Sequence, residues 1–282
     1  GRSWLRVNAG WNAAAGRRSS GTIGTGAKVV KGDYHAGGRL DRWPGPPLAA
    51  VILDCDSTLV DLEGIEWLAA GDPEVTRWTE EAMAGHRRLE DVYAARLARV
   101  RPSRAQVEAL GRHYRTRLLP DAAAAVAAWH ALGKEVWILS AAPAAALAPL
   151  AAALGVPPER TAGVPLRFDA TGAYQGFDPA CPLVRADGKA AWLAAANPPR
   201  PRVVVGDGST DAAARQAVDA FVAFIGVRTR PTVVAAADAA LAHWAAVLAW
   251  TTTPAERARL LSSPWAEVLA RGEVFLKAAN WG

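Results

Sequence analysis

The sequence predicts an α/β protein built around a parallel sheet. Short apolar runs of strand length alternate along the chain with longer helical patterns, the order typical of a parallel sheet with crossover helices. Three of these runs end at polar residues, namely Asp54, Ser140 and Asp207. Because the carboxyl ends of parallel strands meet at one edge of the sheet, where such sheets bind ligands, we expect these side chains to lie close together.

The first predicted strand opens the segment "AAVILDCDSTLVDLEGIEWLA" and ends at Asp54. Residues 61–132 then show helical patterns only, with expected breaks at Gly111 and Gly133. The predicted helices lie in "DLEGIEWLAA", "PEVTRWTEEAMAG", "LEDVYAARLARV", "PSRAQVEALGRHYRTRLL" and "DAAAAVAAWHALG".

The rest of the chain contains three further predicted strands and a hairpin. The run "KEVWILSAA" is typical of a buried strand that ends at Ser140, and a helix follows over about residues 143–154. The segment "GVPLRFDATGAYQGF" alternates around a Thr-Gly turn, which predicts a β-hairpin. A helix after Lys189 leads to the apolar run of "PRVVVGDGSTD", and "DAFVAFIG" resembles a fourth strand.

Composition excludes several classes of protein. The chain has 282 residues, of which 51% are hydrophobic, enough for one large domain or for a core with a smaller inserted domain. Asp238 and His243 interrupt the most apolar helical stretch, so we expect no membrane span. Cys55 and Cys181 are too few for a disulfide framework or a thiolate metal site, and the first residues lack a signal-peptide pattern. The cytoplasm is the expected compartment.

The basic balance of the chain lies in its first segment. Residues 1–47 contain eight Lys or Arg against two Asp and carry +6, whereas the other residues together carry −1. This segment is rich in Gly, Ser and Arg, lacks periodicity and ends in Pro-Gly-Pro-Pro, which predicts disorder with the fold beginning near Leu48. It fits a leader as well as it fits a binding arm, since the chain opens on glycine.

Two carboxylates at the predicted sheet edge indicate a divalent cation. Asp54 and Asp207 would repel each other unless a positive group lies between them, and Mg²⁺ prefers one or two carboxylates with water and phosphate oxygens. Beside Mg²⁺ and the Lys189 ammonium, Asp54 stays ionised and can act as a nucleophile that forms an aspartyl-phosphate. Asp56 follows two residues later, on the same side if the strand continues, and suits a general acid that later acts as a base.

Ser140 and Lys189 complete a predicted phosphate site. The serine hydroxyl and nearby backbone N–H groups can bind phosphoryl oxygens, while Lys189 offsets the charge that spreads over them in the transition state. Taken singly, each of these polar residues also fits a turn or a helix cap. Their occurrence together, from separate segments of the chain, favours phosphoryl transfer.

Several stretches of the chain, taken in order, resemble a known family. They are "DCDSTLVDLEGI", "TEEAMAG", "RLARVRPSRAQVEAL", "GAYQGFD" and "GDGSTD…VDAFVAFIG". With the serine after the second strand and the lysine before a helix, they are similar to the motifs of the haloacid dehalogenase-like phosphatase superfamily, and within it to the members that hydrolyse phosphoserine. The resemblance runs from about Val51 to Trp244.

This resemblance implies an α/β, HAD-like fold. Its Rossmann-like parallel sheet core is expected over residues 48–60 and 133–250, with a helical cap and its linkers inserted over residues 61–132. Residues 251–282 lie outside the resemblance and are expected to form a mostly helical extension.

The resemblance also implies a role for each site residue. Asp54 matches the nucleophile and Asp56 the acid and base, and Mg²⁺ is expected on Asp54, on the backbone carbonyl of Asp56 and on Asp207. The other matches are Ser140, the adjoining Ala141 and Lys189 for phosphate, Glu63 for the substrate amino group, Arg96 for its carboxylate, Met83, Thr210 and Arg230 for further substrate contacts, and Asp211 and Thr58 as supporting residues around the lysine and the metal.

Phosphoserine carries an ammonium, a carboxylate and a phosphate, so its selection requires an anion, a fixed cation and the phosphate site. Without the resemblance, the favoured interpretation of Glu63 and Arg96 is that they are solvated helix charges. The chain departs from the family where Ala141 and Ala142 replace two glycines and where Ala84 replaces one. A methyl group there narrows the approach to phosphate if the backbone φ is positive.

The predicted function is Mg²⁺-dependent hydrolysis of phosphoserine to serine and phosphate, a step of serine biosynthesis, by a monomer or homodimer acting on a small molecule. One alternative is another small phosphomonoester, such as phosphoethanolamine or phosphohomoserine. A second is nucleic-acid binding through the basic first segment, which its three tryptophans support only weakly. A dehalogenase is disfavoured by Asp56, because a halide leaving group needs no acid.

Overall fold

The computed structural model describes residues 41–279, so the predictions for residues 1–40 lie outside the described residues. Its strands are β1 Ala50–Leu53, β2 Glu135–Pro143, β3 Thr161–Val164, β4 Leu166–Phe168, β5 Tyr174–Phe177, β6 Arg202–Gly206, β7 Ala220–Phe224 and β8 Ala239–Leu241. Its helices are α1 Gly64–Leu68, α2 Pro73–Met83, α3 Leu89–Val100, α4 Arg104–Thr116, α5 Ala122–Ala131, α6 Ala144–Ala153, α7 Gly188–Ala196, α8 Ser209–Ala214, α9 Pro231–Ala235, α10 Trp244–Trp250, α11 Pro254–Leu261 and α12 Ala266–Ala279.

The core is a parallel sheet, as the sequence predicts. Within the described residues its six strands run in the order β3-β2-β1-β6-β7-β8, and β4 and β5 form a separate antiparallel pair. The central strand β1 is flanked by β2 and β6, with Val51 in register with Val136 and Val203. The predicted hairpin is confirmed, but β3 and β8 are not foreseen, because "TAGV" and "AAL" are too short and too alanine-rich to stand out from helical patterns.

Helices cover both faces of the sheet. Along β1, Val51 and Leu53 point into one apolar cluster and Ala50 and Ile52 into the other, so the strand is apolar throughout. This two-sided burial explains why the strand sequences lack alternation. Because every pairing in the large sheet is parallel, its described strands present their carboxyl ends at one edge, where the loops after β1, β2 and β6 lie next to one another.

The helices of the 61–132 segment form two groups. The helices α1, α2 and α3 pack on one another, and α2 also packs on α8 beside the sheet edge. The helix α4 packs mainly on α6 and also contacts α1, while α5 packs on β2 and α10. The contacts beside the sheet edge thus come from the α1–α3 group, and the expected extent of the cap to residue 132 stays a prediction. Helical periodicity shows that a helix forms but not which neighbour buries it.

Gly111 does not break a helix, contrary to the sequence prediction. It lies inside α4, at the crossing with α6, and a methyl group at this position would come within 3.0 Å of the Ala146 carbonyl oxygen. The residue is glycine because two helices approach closely there, a requirement of packing rather than of chain reversal. Gly133, with φ of 81°, does follow the end of α5 as predicted.

The packed chain begins earlier than the predicted start at Leu48. Trp43 is only 5% exposed, its backbone N–H donates to the Trp250 carbonyl at 3.1 Å, and its indole N–H donates to the Pro46 carbonyl at 2.6 Å. Arg42 forms an ion pair with Glu273 of α12. The Gly- and Pro-rich composition around Trp43 hid this contact, which depends on helices some 200 residues later in the chain.

We expect Trp43→Ala to lower the free energy of unfolding by about 3 kcal/mol, because it empties a buried indole site. In a thermal scan this corresponds to a fall in Tm of roughly 6–12 °C for a chain of this size. Trp67→Ala is the matched control, since the Trp67 indole is 38% exposed and its removal should cost less than about 1 kcal/mol. Equal shifts for the two variants would contradict the packing role of Trp43.

The C-terminal stretch contains the helices expected of it. In α12, a methyl group on Gly272 would lie 2.0 Å from the Ala245 carbonyl oxygen, so α10 and α12 cross closely. Lys134 and Glu256 form a buried ion pair at 2.5 Å that joins α11 to the start of β2. Within residues 41–279, no helix combines the length and apolar character that a bilayer crossing requires.

Candidate active site

The loop after β1 starts the site. The Asp54 N–H extends the ladder by donating to the Val205 carbonyl at 2.9 Å, and the Asp54 Oδ1 accepts the N–H of Cys55 at 2.8 Å. The chain then leaves the strand direction, with Ser57 in the left-handed region at φ of 52°. Asp56 therefore lies in a turn. The sequence argument had allowed for a strand that continues to Asp56, and the strand does not do so.

Lys189 joins two of the predicted carboxylates. Its Nζ lies 2.9 Å from Asp54 Oδ2 and 2.6 Å from Asp211 Oδ1, and all three side chains are buried. Burial disfavours the charge of Lys189, but the Asp211 and Asp54 carboxylates outweigh it and raise the pKa of the ammonium. Gly188 begins α7 and lets the start of this helix pack against Pro182, because a methyl group there would lie 1.9 Å from the Pro182 carbonyl oxygen.

Asp207 follows β6 and faces Asp54. Its Oδ1 accepts the Thr58 hydroxyl at 2.9 Å, and its Oδ2 pairs with the Arg230 guanidinium. One carboxylate oxygen from each of Asp54, Asp207 and Asp211 lies within 4.8 Å of the others, and all three residues are buried. The structure thus brings together Asp54 and Asp207, whose convergence the sequence argument predicted, and adds Asp211, which the resemblance implied as a supporting residue.

The charges around this cluster fit a divalent cation. Asp54, Asp207 and Asp211 are buried, and within residues 41–279 the buried cations that pair with them are Lys189 and Arg230. Three ionised carboxylates with two such cations, one of which also lies 3.9 Å from Glu63, leave negative charge uncompensated in a low dielectric.

The pKa shifts of this cluster have the same origin. Burial, and then the nearby Glu63 carboxylate, raise the pKa of Asp207 well above its usual range. Burial raises the pKa of Asp211 to about 7, against the opposing effect of Lys189. A divalent cation would reverse these shifts by neutralising the excess charge. The oxygen donors present fit Mg²⁺, which accepts carboxylates and keeps several waters.

The Asp56 carboxyl group is fixed by two donors. Its Oδ1 accepts the Tyr114 hydroxyl at 2.5 Å, and its Oδ2 accepts the N–H of Gly64 at 3.0 Å. Burial, and then the Glu63 carboxylate, raise the pKa of Asp56 to about 8, although both hydrogen bonds act in the opposite direction. Such a carboxyl group can hold a proton near neutral pH.

Strand β2 runs through Ser140 to Pro143, three residues further than predicted. The Ser140 Oγ accepts the N–H of Ala142 at 3.2 Å, and the Tyr93 hydroxyl donates to the Ala141 carbonyl at 2.8 Å. Neither Ala141 nor Ala142 has a positive φ, so their methyl groups cause no backbone strain where the family has glycines.

The end of α2 closes over the sheet edge. The Ser209 hydroxyl donates to the Ala82 carbonyl at 2.8 Å, and the Thr232 hydroxyl donates to the Ala84 carbonyl at 3.0 Å. Ala84 has a helical φ of −76°, and the positive φ falls on Gly85, at 80°. The second departure from the family is therefore also compatible with the backbone.

Arg96 is a buried guanidinium that lacks a carboxylate partner within the described residues. It is 3% exposed, its Nη1 donates to the Thr79 hydroxyl at 3.0 Å, and its Nε has no hydrogen-bond partner. Burial lowers its pKa. An unpaired charge in such a position is costly, which suits a site that an anion completes.

Glu63 lies among residues that the sequence argument did not identify. Its Oε1 accepts the Ser57 hydroxyl at 2.7 Å, and the Arg228 guanidinium lies 3.8 Å away. Arg228 also pairs with Glu66 of α1 and Glu80 of α2. The sequence did contain one signal for this acidic cluster. Glu66 follows Glu63 by three residues, a spacing that puts both acids on one face of a helix start.

One cavity collects most of the predicted site. Its lining comprises Asp54, Asp56, Glu63, Ile65, Met83, Arg96, Ser140, Ala141, Ala142, Lys189, Asp207 and Thr210. Of the predicted site residues, Arg230, Asp211 and Thr58 stand behind it, in contact with Asp207 or Lys189. The acids, the lysine and the arginine thus surround one space at the carboxyl edge of the sheet.

The sequence that forms this site matches a known family. The family model described as haloacid dehalogenase-like hydrolase matches residues 51–216, more than half of the chain. The chain is a haloacid dehalogenase-like hydrolase. The family and the fold predicted from the sequence are both confirmed.

Named relatives of this hydrolase are phosphatases. It is 34% identical over 207 residues to the chloroplastic phosphoserine phosphatase of Arabidopsis thaliana, an alignment that covers 71% of this chain and 70% of the relative. It is 33% identical over 190 residues to the phosphoserine phosphatase of Drosophila melanogaster, covering 65% and 70%. The chain is thus an enzyme of the phosphoric monoester hydrolase class.

Solved structures support the fold. A phosphoserine phosphohydrolase-like protein from Francisella tularensis superposes with a TM-score of 0.64 at 21% identity, over 76% of this chain and 100% of the other.

Proposed function

We propose that this hydrolase converts phosphoserine to serine and phosphate with Mg²⁺ and an aspartyl-phosphate intermediate. The observation that carries the choice of substrate is Arg96, a buried guanidinium on the wall of the cavity that contains Asp54. A phosphate site alone does not require it. A substrate with a second anionic group does, because its carboxylate would supply the partner that Arg96 lacks among the described residues.

Asp54 is the proposed nucleophile. In the first step its carboxylate oxygen bonds to phosphorus while the bond from phosphorus to the seryl oxygen breaks. The proposed acid, Asp56, gives its proton to that oxygen as it leaves. Lys189, 2.9 Å from Asp54, offsets the charge on the phosphoryl oxygens, and Ser140 with the backbone beside it binds them.

Water completes the cycle in the second step. The Asp56 carboxylate, now ionised, takes a proton from a water molecule whose oxygen bonds to phosphorus. The bond between phosphorus and Asp54 breaks and phosphate leaves, so that both acids return to their starting states. Bound Mg²⁺ would supply a positive charge that stabilises the phosphoryl oxygens, held by Asp54, Asp207 and the backbone at Asp56.

The rest of the cavity fits an amino acid. Glu63 offers a carboxylate for the substrate ammonium, and Met83 and Thr210 complete the wall. We propose that Arg230 supports the site from outside the cavity, since it pairs with Asp207 and lies 3.9 Å from Glu63. Serine biosynthesis is the process in which such an activity would operate.

Arg96→Ala tests the substrate assignment. We expect KM for phosphoserine to rise by the equivalent of about 2–4 kcal/mol, the usual cost of losing one partner of a desolvated charge pair. Phosphoethanolamine, which lacks the carboxylate, should be hydrolysed almost as well as by the wild type. Phosphate release from both substrates over a concentration series, with Mg²⁺ present, gives the comparison.

Two variants make this test specific. Arg99→Ala removes an exposed arginine from the same helix and should leave both substrates unaffected. Arg96→Lys should recover part of the loss, because an ammonium keeps the charge but not the two-pronged contact. If Arg96→Ala weakens both substrates equally, the carboxylate assignment is wrong and a phosphomonoester without a carboxylate becomes the better proposal.

A further inference from the structure

Tyr114 contacts the acid of the proposed mechanism from outside the motifs. It lies on α4, is fully buried, and its hydroxyl donates to Asp56 Oδ1 at 2.5 Å. Asp56 is its one side-chain hydrogen-bond partner within the described residues. A buried phenol is stable only when its hydroxyl is paired, so this contact is a built feature of the protein.

The space for this hydroxyl depends on a glycine. A methyl group on Gly64 would lie 2.1 Å from the Tyr114 hydroxyl oxygen, closer than any contact allows. The same glycine donates its N–H to Asp56 Oδ2 at 3.0 Å. Two donors from different elements, the start of α1 and the third turn of α4, thus hold the two oxygens of one carboxyl group.

This arrangement fixes the plane of the Asp56 carboxyl group. Asp56 follows the strand by three residues and lies in a turn, so the regular pleat of the strand does not set the direction of its side chain. Proton transfer requires a donor that is held at the right distance and angle to the leaving oxygen. A carboxyl group held at one oxygen only keeps a rotational freedom that a group held at both does not.

We propose that Tyr114 is a positioning residue that orients the Asp56 carboxyl group toward the leaving oxygen of the substrate. The proposal rests on the function proposed above, in which Asp56 gives a proton to that oxygen. Tyr114 does not line the substrate cavity and acts only through Asp56. Its effect should therefore be confined to substrates whose leaving group needs the proton.

Tyr114→Phe tests the proposal, because it removes the hydroxyl and keeps the ring. The measured quantity is kcat/KM for two substrates: phosphoserine, whose alkoxide needs a proton to leave, and p-nitrophenyl phosphate, whose nitrophenolate leaves without one. This parameter reports the steps up to formation of the phosphoenzyme, so the later attack of water does not enter. We expect a loss of about 10- to 100-fold for phosphoserine and less than about 3-fold for p-nitrophenyl phosphate.

The ratio of the two kcat/KM values is the deciding readout. A less stable variant lowers both values together and leaves the ratio unchanged, because both substrates meet the same folded population. A fall in the ratio therefore supports positioning, and an unchanged ratio overturns it. Tyr174→Phe, which removes a phenol hydroxyl from the β5 strand outside the site, should change neither substrate.

A second background separates this proposal from the one on which it rests. Asp56→Asn should itself lower the phosphoserine to p-nitrophenyl phosphate ratio, and Tyr114→Phe should then add little, since its route is already removed. If Asp56→Asn leaves the ratio unchanged, the acid role of Asp56 is wrong and Tyr114 loses its proposed function with it. If Asp56→Asn lowers the ratio but Tyr114→Phe does not, only the positioning role is overturned.

Discussion

Asp54→Asn should abolish turnover, with a loss on the order of 10³-fold or more in kcat, because an amide oxygen is a far weaker nucleophile than a carboxylate. The residue is placed for that role by the end of the central strand and by Lys189, 2.9 Å from its Oδ2. Phosphate release at saturating phosphoserine measures the effect, and wild-type enzyme treated with a fast acid quench should show label from ³²P-phosphoserine on the protein.

Asp91→Asn is the matched control for this substitution. Asp91 is an exposed aspartate in the first turn of α3, and its conversion should leave kcat unchanged. The asparagine variant at position 54 should also carry no labelled phosphate after the quench. Turnover near the wild-type level in that variant would end the aspartyl-phosphate mechanism, whatever the substrate.

Removal of divalent cations should have an effect of similar size. The uncompensated negative charge around Asp54, Asp207 and Asp211 suits Mg²⁺, whose contribution to phosphoryl transfer is several kcal/mol, or about 10³-fold in rate. Dialysis against EDTA should abolish phosphate release, and added Mg²⁺ should restore it. Full activity in the presence of the chelator would exclude a role for the cation.

Binding of Mg²⁺ can also be followed without catalysis. Because a ligand that binds only the folded state stabilises it, millimolar Mg²⁺ should raise the Tm of the EDTA-treated wild type. Asp207→Asn removes one proposed ligand and should reduce that rise, while Asp91→Asn should retain it. An equal rise in all three proteins would mean that Mg²⁺ binds elsewhere.

The sequence predicts the sheet and the acids well for one physical reason. Apolar runs that end at Asp54, Ser140 and Asp207 are local signals, and the parallel topology brings their ends to one edge without further information. The position of Asp56 was not accessible in this way. The strand stops at Leu53, and Asp56 lies in a turn that contains the left-handed Ser57.

The contacts that sequence reasoning missed join distant segments. Tyr114 reaches Asp56 across 58 residues, and Trp43 is buried by a helix that ends at Trp250. In neither contact does the local sequence around one residue contain a periodic pattern that indicates the other. Gly111 was misassigned for a related reason. A sequence pattern alone does not distinguish a glycine that permits two helices to cross from one that ends a helix.

The ion pair between Arg42 and Glu273 has a practical consequence for protein engineering. It holds the first described residues against the last long helix, at Glu273, six residues before that helix ends at Ala279. A short peptide linker could join residues 41 and 279, and new ends could be opened at the exposed tip of the β4–β5 hairpin. Such a circularly permuted chain would keep the order of the sheet while changing only where the polypeptide starts.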